Sequence, residues 1–124
     1  MSVIRRAEQR VTETPNAVMT TLASPSLGGS TQSLWQVRME PGQAGPLHLM
    51  DGEQVWSVLD GGATVEVDGS GYHLGPGDTV VLPAGAVRRV AADDRGLFAV
   101  VTGSGEGRAL LADGTDRGVP AWIS

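Results

Sequence analysis

The chain has 124 residues, 40% of them hydrophobic, and a formal net charge of −5, which describes one globular domain with a single core. Nine Lys and Arg stand against fourteen Asp and Glu with no basic stripe, so nucleic acid and acidic membrane surfaces are excluded as partners. There is no cysteine, hence no disulfide, zinc knuckle or thiol nucleophile.

In chain order, residues 1–16 are polar, and Val3, Ile4, Ala7 and Val11 fall on one side of a short predicted helix punctuated by Pro15 and Asn16. Val18–Ala23 is a predicted strand, followed by a Ser/Pro/Gly turn over 24–30. Over 33–40 the pattern alternates, with Trp35, Val37 and Met39 on one face and Gln36, Arg38 and Glu40 on the other, the mark of a half-buried strand. Short strands then recur. Val55–Leu59 ends at a turn over Asp60-Gly61-Gly62, and Thr64–Val67 stops at Asp68-Gly69. Tyr72–Leu74 runs into Gly75-Pro76-Gly77-Asp78, and Thr79–Leu82 reads as a buried strand. Val87–Ala92, Leu97–Thr102 and Arg108–Leu111 complete the set, with Asp93-Asp94 as a solvated turn and Gly114–Ser124 as a tail whose Trp122 and Ile123 need cover. The 18 glycines and 7 prolines suit such tight turns. The composite is an all-β antiparallel sandwich or barrel. No apolar stretch reaches signal-peptide or membrane-span length, so the cytoplasm is the default expectation.

Two glycine-anchored patterns carry the chemistry: Gly42-x5-His48-x-Met50-x3-Gln54-x6-Gly61 and Gly77-x5-Pro83-x-Gly85-x2-Arg88. Side chains two apart on a strand share a face, so His48 pairs with Met50, and Gln54 with Trp56. These spacings resemble the two motifs of the cupin family, G-x5-HxH-x3,4-E-x6-G and G-x5-PxG-xx-H-x3-N. The resemblance covers roughly residues 31–103 and extends to the Gly45-Pro46-x-His48 entry, the Glu53-Gln54-Val55-Trp56 run and the Pro120-x-Trp122 ending. It is similar to small bacterial single-domain cupins of the quercetin-dioxygenase-like kind.

The resemblance implies a jelly-roll β-barrel of short antiparallel strands, with an N-terminal arm and strand over 1–30, a barrel core over 31–103 and a C-terminal strand and tail over 104–124. In a metal-binding cupin, two histidines and a glutamate of the first motif and a histidine of the second hold one ion. Here those positions carry His48, Met50, Gln54 and Arg88. A thioether, a neutral amide and a fixed cation are poor company for a divalent metal. No cofactor is expected, the alternative being a metal on His48 with Glu53, one residue before Gln54, swung inward against strand parity.

An Arg88 inside a barrel needs a partner, and Glu53, water or an anionic ligand group can serve. His48 titrates near neutrality, Gln54 donates and accepts, and Met50 and Trp56 offer apolar and aromatic surface. The bland readings are a core histidine bonded to backbone, a structural Arg88–Glu53 ion pair and core tryptophans. His73, outside both motifs, reads as an exposed strand-end histidine. Three functions remain open. One is a metal-independent proton-transfer enzyme of isomerase, cyclase or lyase type, with His48 as acid/base, Glu53 in reserve, and Gln54 and Arg88 stabilising negative charge. The others are a ligand-binding or sensing module on the same pocket and a metal-dependent oxygenase. The partners expected are a small anionic or aromatic molecule and a second copy of the chain. The resemblance implies a homodimer, with Val18–Ala23 as the strand that crosses to the partner.

Overall fold

In the computed structural model, which describes residues 1–124, the strands are β1 (Arg10–Glu13), β2 (Val18–Ala23), β3 (Gln32–Met39), β4 (Leu49–Met50), β5 (Gln54–Val67), β6 (Ser70–Leu74), β7 (Thr79–Leu82), β8 (Arg88–Ser104), β9 (Ala109–Leu110) and β10 (Asp116–Gly118). The helix expected near the N-terminus is absent. Only Arg6–Glu8 makes a single 3-10 turn, and Val11 lies in β1. Val3, Val11 and their polar neighbours bury too little surface to hold a helix against any partner.

Two of the strands are longer than the turn signals imply. Asp60-Gly61-Gly62 does not end a strand, and Asp93-Asp94 is not a turn: β5 and β8 run through both points. Register shifts at 58/60 and 61/63 bend β5 instead of reversing it. Gly61, at φ 69°, sits against Gly96, at φ 76°, where β8 bends in step. A Cβ on Gly61 would run into the Gly96 carbonyl oxygen, so the two strands turn the corner together only because both residues are glycine.

This shared corner makes two sheets. In the first, β1, β2 and β3 lead to residues 97–104 of β8, then residues 54–61 of β5, then β7. In the second, residues 63–67 of β5 lie between β6 and residues 88–92 of β8. Bridges from Ala91 to Ala44 and from Arg88 to His48 continue it to β4, β9 and β10. All pairings between strands are antiparallel, as a jelly roll requires. The Asp68-Gly69 turn is as expected, a two-residue hairpin loop with both residues at positive φ.

The core lies between the sheets. In β3 the alternation holds, with Trp35, Val37 and Met39 buried, and they meet Val58, Val65, Leu82, Val90 and Val101. Each such side chain contributes roughly 1.5–3 kcal/mol by leaving water. β7 is less buried than its sequence suggests: Leu82 is inside, but Val81 is 55% exposed. The strand expected to cross to a partner, β2, is paired on both edges within the chain, to β1 and β3. The tail folds back over β2 and β3. Thr21 Oγ1 donates to Trp122 O at 2.8 Å, Ser24 Oγ to Ser124 O at 2.9 Å, and Ser33 Oγ to Ile123 O. Ile123 is thereby 1% exposed. No helix is long and apolar enough to cross a membrane.

Candidate functional site

Between the sheets is a cavity of about 560 Å³, within the range of small-molecule sites. Its wall includes five of the six residues singled out from the motifs: His48, Met50, Gln54, Trp56 and Arg88. The sixth, Glu53, is exposed and is not on the wall, as strand parity demands. Glu53 makes no ion pair with Arg88, and the reserve-base and ion-pair roles considered for it find no support in this geometry. His73 is the exposed residue expected, its side chain 63% accessible and 3.8 Å from Asp93.

The geometry at the inner end follows from the two sheets. Gln54 opens β5 in the first sheet, whereas Arg88 opens β8 beside His48 in the second. The Arg88 side chain crosses the gap. Its Nη2 donates to Gln54 Oε1 at 2.6 Å, and its Nε donates to His48 Nε2 at 3.3 Å. Trp56 Nε1 donates to the same Gln54 oxygen at 3.3 Å. Two donors on one atom fix the orientation of the amide, since only its oxygen can accept. His48 Nδ1 lies 2.9 Å from Pro46 O and must carry the ring proton, because Nε2 is the acceptor for Arg88.

These partners are all neutral. Arg88 is 2% exposed, and the ion pairs of the molecule, His73–Asp93 and Arg108–Asp116, do not include it. Its Nη1 is buried with no hydrogen-bond partner at all. Burial pulls the guanidinium down to about 10, which leaves it charged at neutral pH. His48 is pushed below its ordinary value chiefly by burial. The Pro46 bond acts against the shift, and the Arg88 charge adds to it, so the ring is neutral.

This donor set does not fit a divalent cation. The one imidazole turns its free lone pair to a guanidinium, the amide oxygen is already shared by two donors, and the cation of Arg88 stands where a ligand would be needed. No cluster of three His, Cys, Asp or Glu occurs anywhere in the molecule.

The rest of the wall is mostly apolar and aromatic, including Trp35, Met19 and Val90, with the polar Thr14 and Asn16 contributed by the segment between β1 and β2. Besides that segment, two contributors were missed by the motif reading. One is the tail, where Val119, Trp122 and Ile123 complete the wall; their apolar character in a Gly/Asp-rich segment was the available signal. The other is Arg117, which no pattern singled out. The chain carries fourteen acids, yet none of the wall residues is an Asp or Glu.

Comparison with known proteins agrees with this architecture. Structures of the same fold include a cupin-2 domain protein from Rhodospirillum rubrum (TM-score 0.76, 18% identity, 89% of this chain and 79% of that one). KdgF from Halomonas sp. aligns over 84% of this chain and 93% of its own, at TM-score 0.71 and 20% identity. The DMSP lyase DddQ from Ruegeria pomeroyi aligns at TM-score 0.74 and 24% identity, over 86% and 62%. At these identities the likeness is one of fold. No curated protein matches in sequence. The cupin domain family matches residues 35–103, more than half of the chain and both glycine-anchored motifs, and the chain belongs to that family.

Proposed function

We propose that this cupin binds a small organic anion, a carboxylate, enolate or phenolate, without a metal, and that Arg88 is the group that recognises it. The observation that carries the reading is a buried guanidinium that has only neutral partners and one wholly unpartnered nitrogen, on the wall of an acid-free cavity. An unpaired buried charge costs several kcal/mol and persists where something else offsets it. A ligand oxygen at Nη1 supplies a charge-assisted bond in a low-dielectric site. Trp56, Trp35 and Met50 supply the surface for a flat or aliphatic body.

Calorimetric titration with benzoate and octanoate, beside benzamide and octanamide, tests this. The acids bind and the amides do not, and R88M abolishes the difference. Equal affinity for acid and amide in wild type, or acid binding that is undiminished in R88M, overturns the reading. Stoichiometric iron, nickel, manganese or zinc in purified protein, lost in H48A, overturns metal independence.

Proton transfer is the second reading, favoured by one observation. His48 is held neutral within the cavity, the protonation state a general base requires. Its Nε2 is available only when Arg88 turns toward a bound anion, which would couple base release to substrate binding. A ligand recovered unchanged at the rate seen in buffer sinks the enzymatic reading and leaves the binding one.

We also propose a homodimer built on the outer face of the first sheet. Leu34, Val55 and Val81, linked through Thr102 in one register row, form an apolar strip there. A monomer by sedimentation at micromolar concentration contradicts it.

A further inference from the structure

The tail brings a second cation to the cavity. In the β9–β10 pair, Asp116 faces Leu110 and Gly118 faces Ala109, so Arg117 is the extra residue of a β-bulge. Bulges re-aim the side chain they carry, and Arg117 lies on the cavity wall. The bulge is held rigidly. Asp116 Oδ1 accepts from Gly118 N at 2.8 Å, and Asp116 Oδ2 pairs with Arg108 Nη2 at 3.0 Å. Asp51 Oδ1 fixes the backbone of Arg108 at 2.8 Å. Arg117 itself belongs to neither ion pair of the molecule. Asp113, four residues earlier, accepts from Thr115 N at 2.9 Å and also feels the Arg117 charge, but the two do not form an ion pair.

The two arginines stand at opposite ends of one sheet segment. From Arg88 the order runs to His48 and β4, then β9, then β10. Three strand spacings separate their backbones by roughly 14 Å. Arg88 is buried, whereas Arg117 is an exposed residue of the wall and so lies where the cavity meets solvent. On the strands between the two cations, the wall carries Met50 and Ala109, neither of which is charged.

Resting on the reading of Arg88 as the anion site, we infer that the ligand is two-headed: a dianion, such as a dicarboxylate, with an apolar body, whose inner carboxylate meets Arg88 and whose outer acidic group meets Arg117 at the mouth. A one-headed acid leaves Arg117 unused. A ligand with a cationic far end is repelled there, and no acid on the wall receives it. Fixing the backbone of Arg117 on a bulge reduces part of the ordering cost of the outer contact, which helps a partly exposed charge pair to contribute measurably.

The test compares matched acids on the intact protein: suberate against octanoate, and terephthalate against benzoate, titrated into wild type, R117Q, R88M and R89Q. Arg89 is exposed and off the wall, so R89Q is the control for overall charge. In wild type at least one diacid binds about five- to tenfold tighter than its monoacid. R117Q removes that advantage, and R89Q keeps it. Equal affinity of diacids and monoacids in wild type, or an advantage that survives in R117Q, overturns the second head while leaving the Arg88 reading in place. Failure of every acid to bind wild type, or undiminished binding in R88M, instead overturns the Arg88 reading. Since Arg117 is exposed and outside the core, R117Q folds as wild type, which a thermal melt verifies.

Discussion

At the inner end of the cavity, Gln54 and Arg88 sit on strands held by continuous backbone ladders, and Arg88 bridges the two sheets through its own side chain. At the mouth, the wall from Val119 to Ile123 has no ladder. Hydroxyls of Thr21 and Ser33 hold the Trp122 and Ile123 carbonyls, and Ile123 pins this wall to the core. The inner end therefore has an expensive charge fixed in a stiff frame, and the mouth has modest groups on a detachable strip. A frame of the first kind defines which chemistry is bound. A strip of the second kind can vary what the bound molecule carries at its other end without unfolding the domain.

Substitutions at the two ends should have opposite signs, and that is the sharpest way to break the comparison. Ile123→Ala should lower stability by about 2–5 kcal/mol, the cost of a buried Ile truncated to a cavity, and weaken ligand binding as the strip loosens. Urea unfolding reads the first effect and calorimetry the second. Arg88→Met should weaken carboxylate binding by about 2–3 kcal/mol, roughly 30- to 150-fold, yet raise the stability of the ligand-free protein by about 1–3 kcal/mol. Destabilisation there would mean that the guanidinium is a structural strut and not a recognition group. Thr21→Val should cost about 1 kcal/mol through the lost bond to Trp122 O, with a smaller loss of affinity.

The smallest effect is on pH dependence. His48 is held below its ordinary value of 6.5, chiefly by burial. Between its folded value and 6.5, the unfolded chain binds more protons than the folded one. Stability therefore rises with pH through that window, is complete at neutrality, and is lost as pH falls below 6.5. His48→Gln should flatten this acid slope in denaturant midpoints measured across the window. An unchanged slope would assign it to other groups.

Much of this was legible in the sequence, for reasons that differ by residue. Trp35, Val37 and Met39 declared their face by period two, and parity alone sorted Gln54 and Trp56 inward and Glu53 outward. The glycine anchors gave the order of the two motifs and so the meeting of Arg88 with His48 and Gln54. What parity cannot supply is a partner across a gap: Glu53, water and a ligand anion are the partners the sequence offers for Arg88, and the amide and imidazole that meet it come from different sheets. Asp60-Gly61-Gly62 misled because the same residues serve a turn or a bend, and only the approach of Gly96 decides between them. Arg117 was hidden because a bulge is a property of two strands in register and has no signature in one of them.

The oxygen that Arg88 shares with Trp56 has one more consequence. An indole N–H bonded to an amide whose other donor swings away changes its electronic surroundings. Occupancy of the inner end should thus be written into the emission of Trp56, with W56F as the blank against Trp35 and Trp122, so the domain carries its own optical gauge of whether it is loaded.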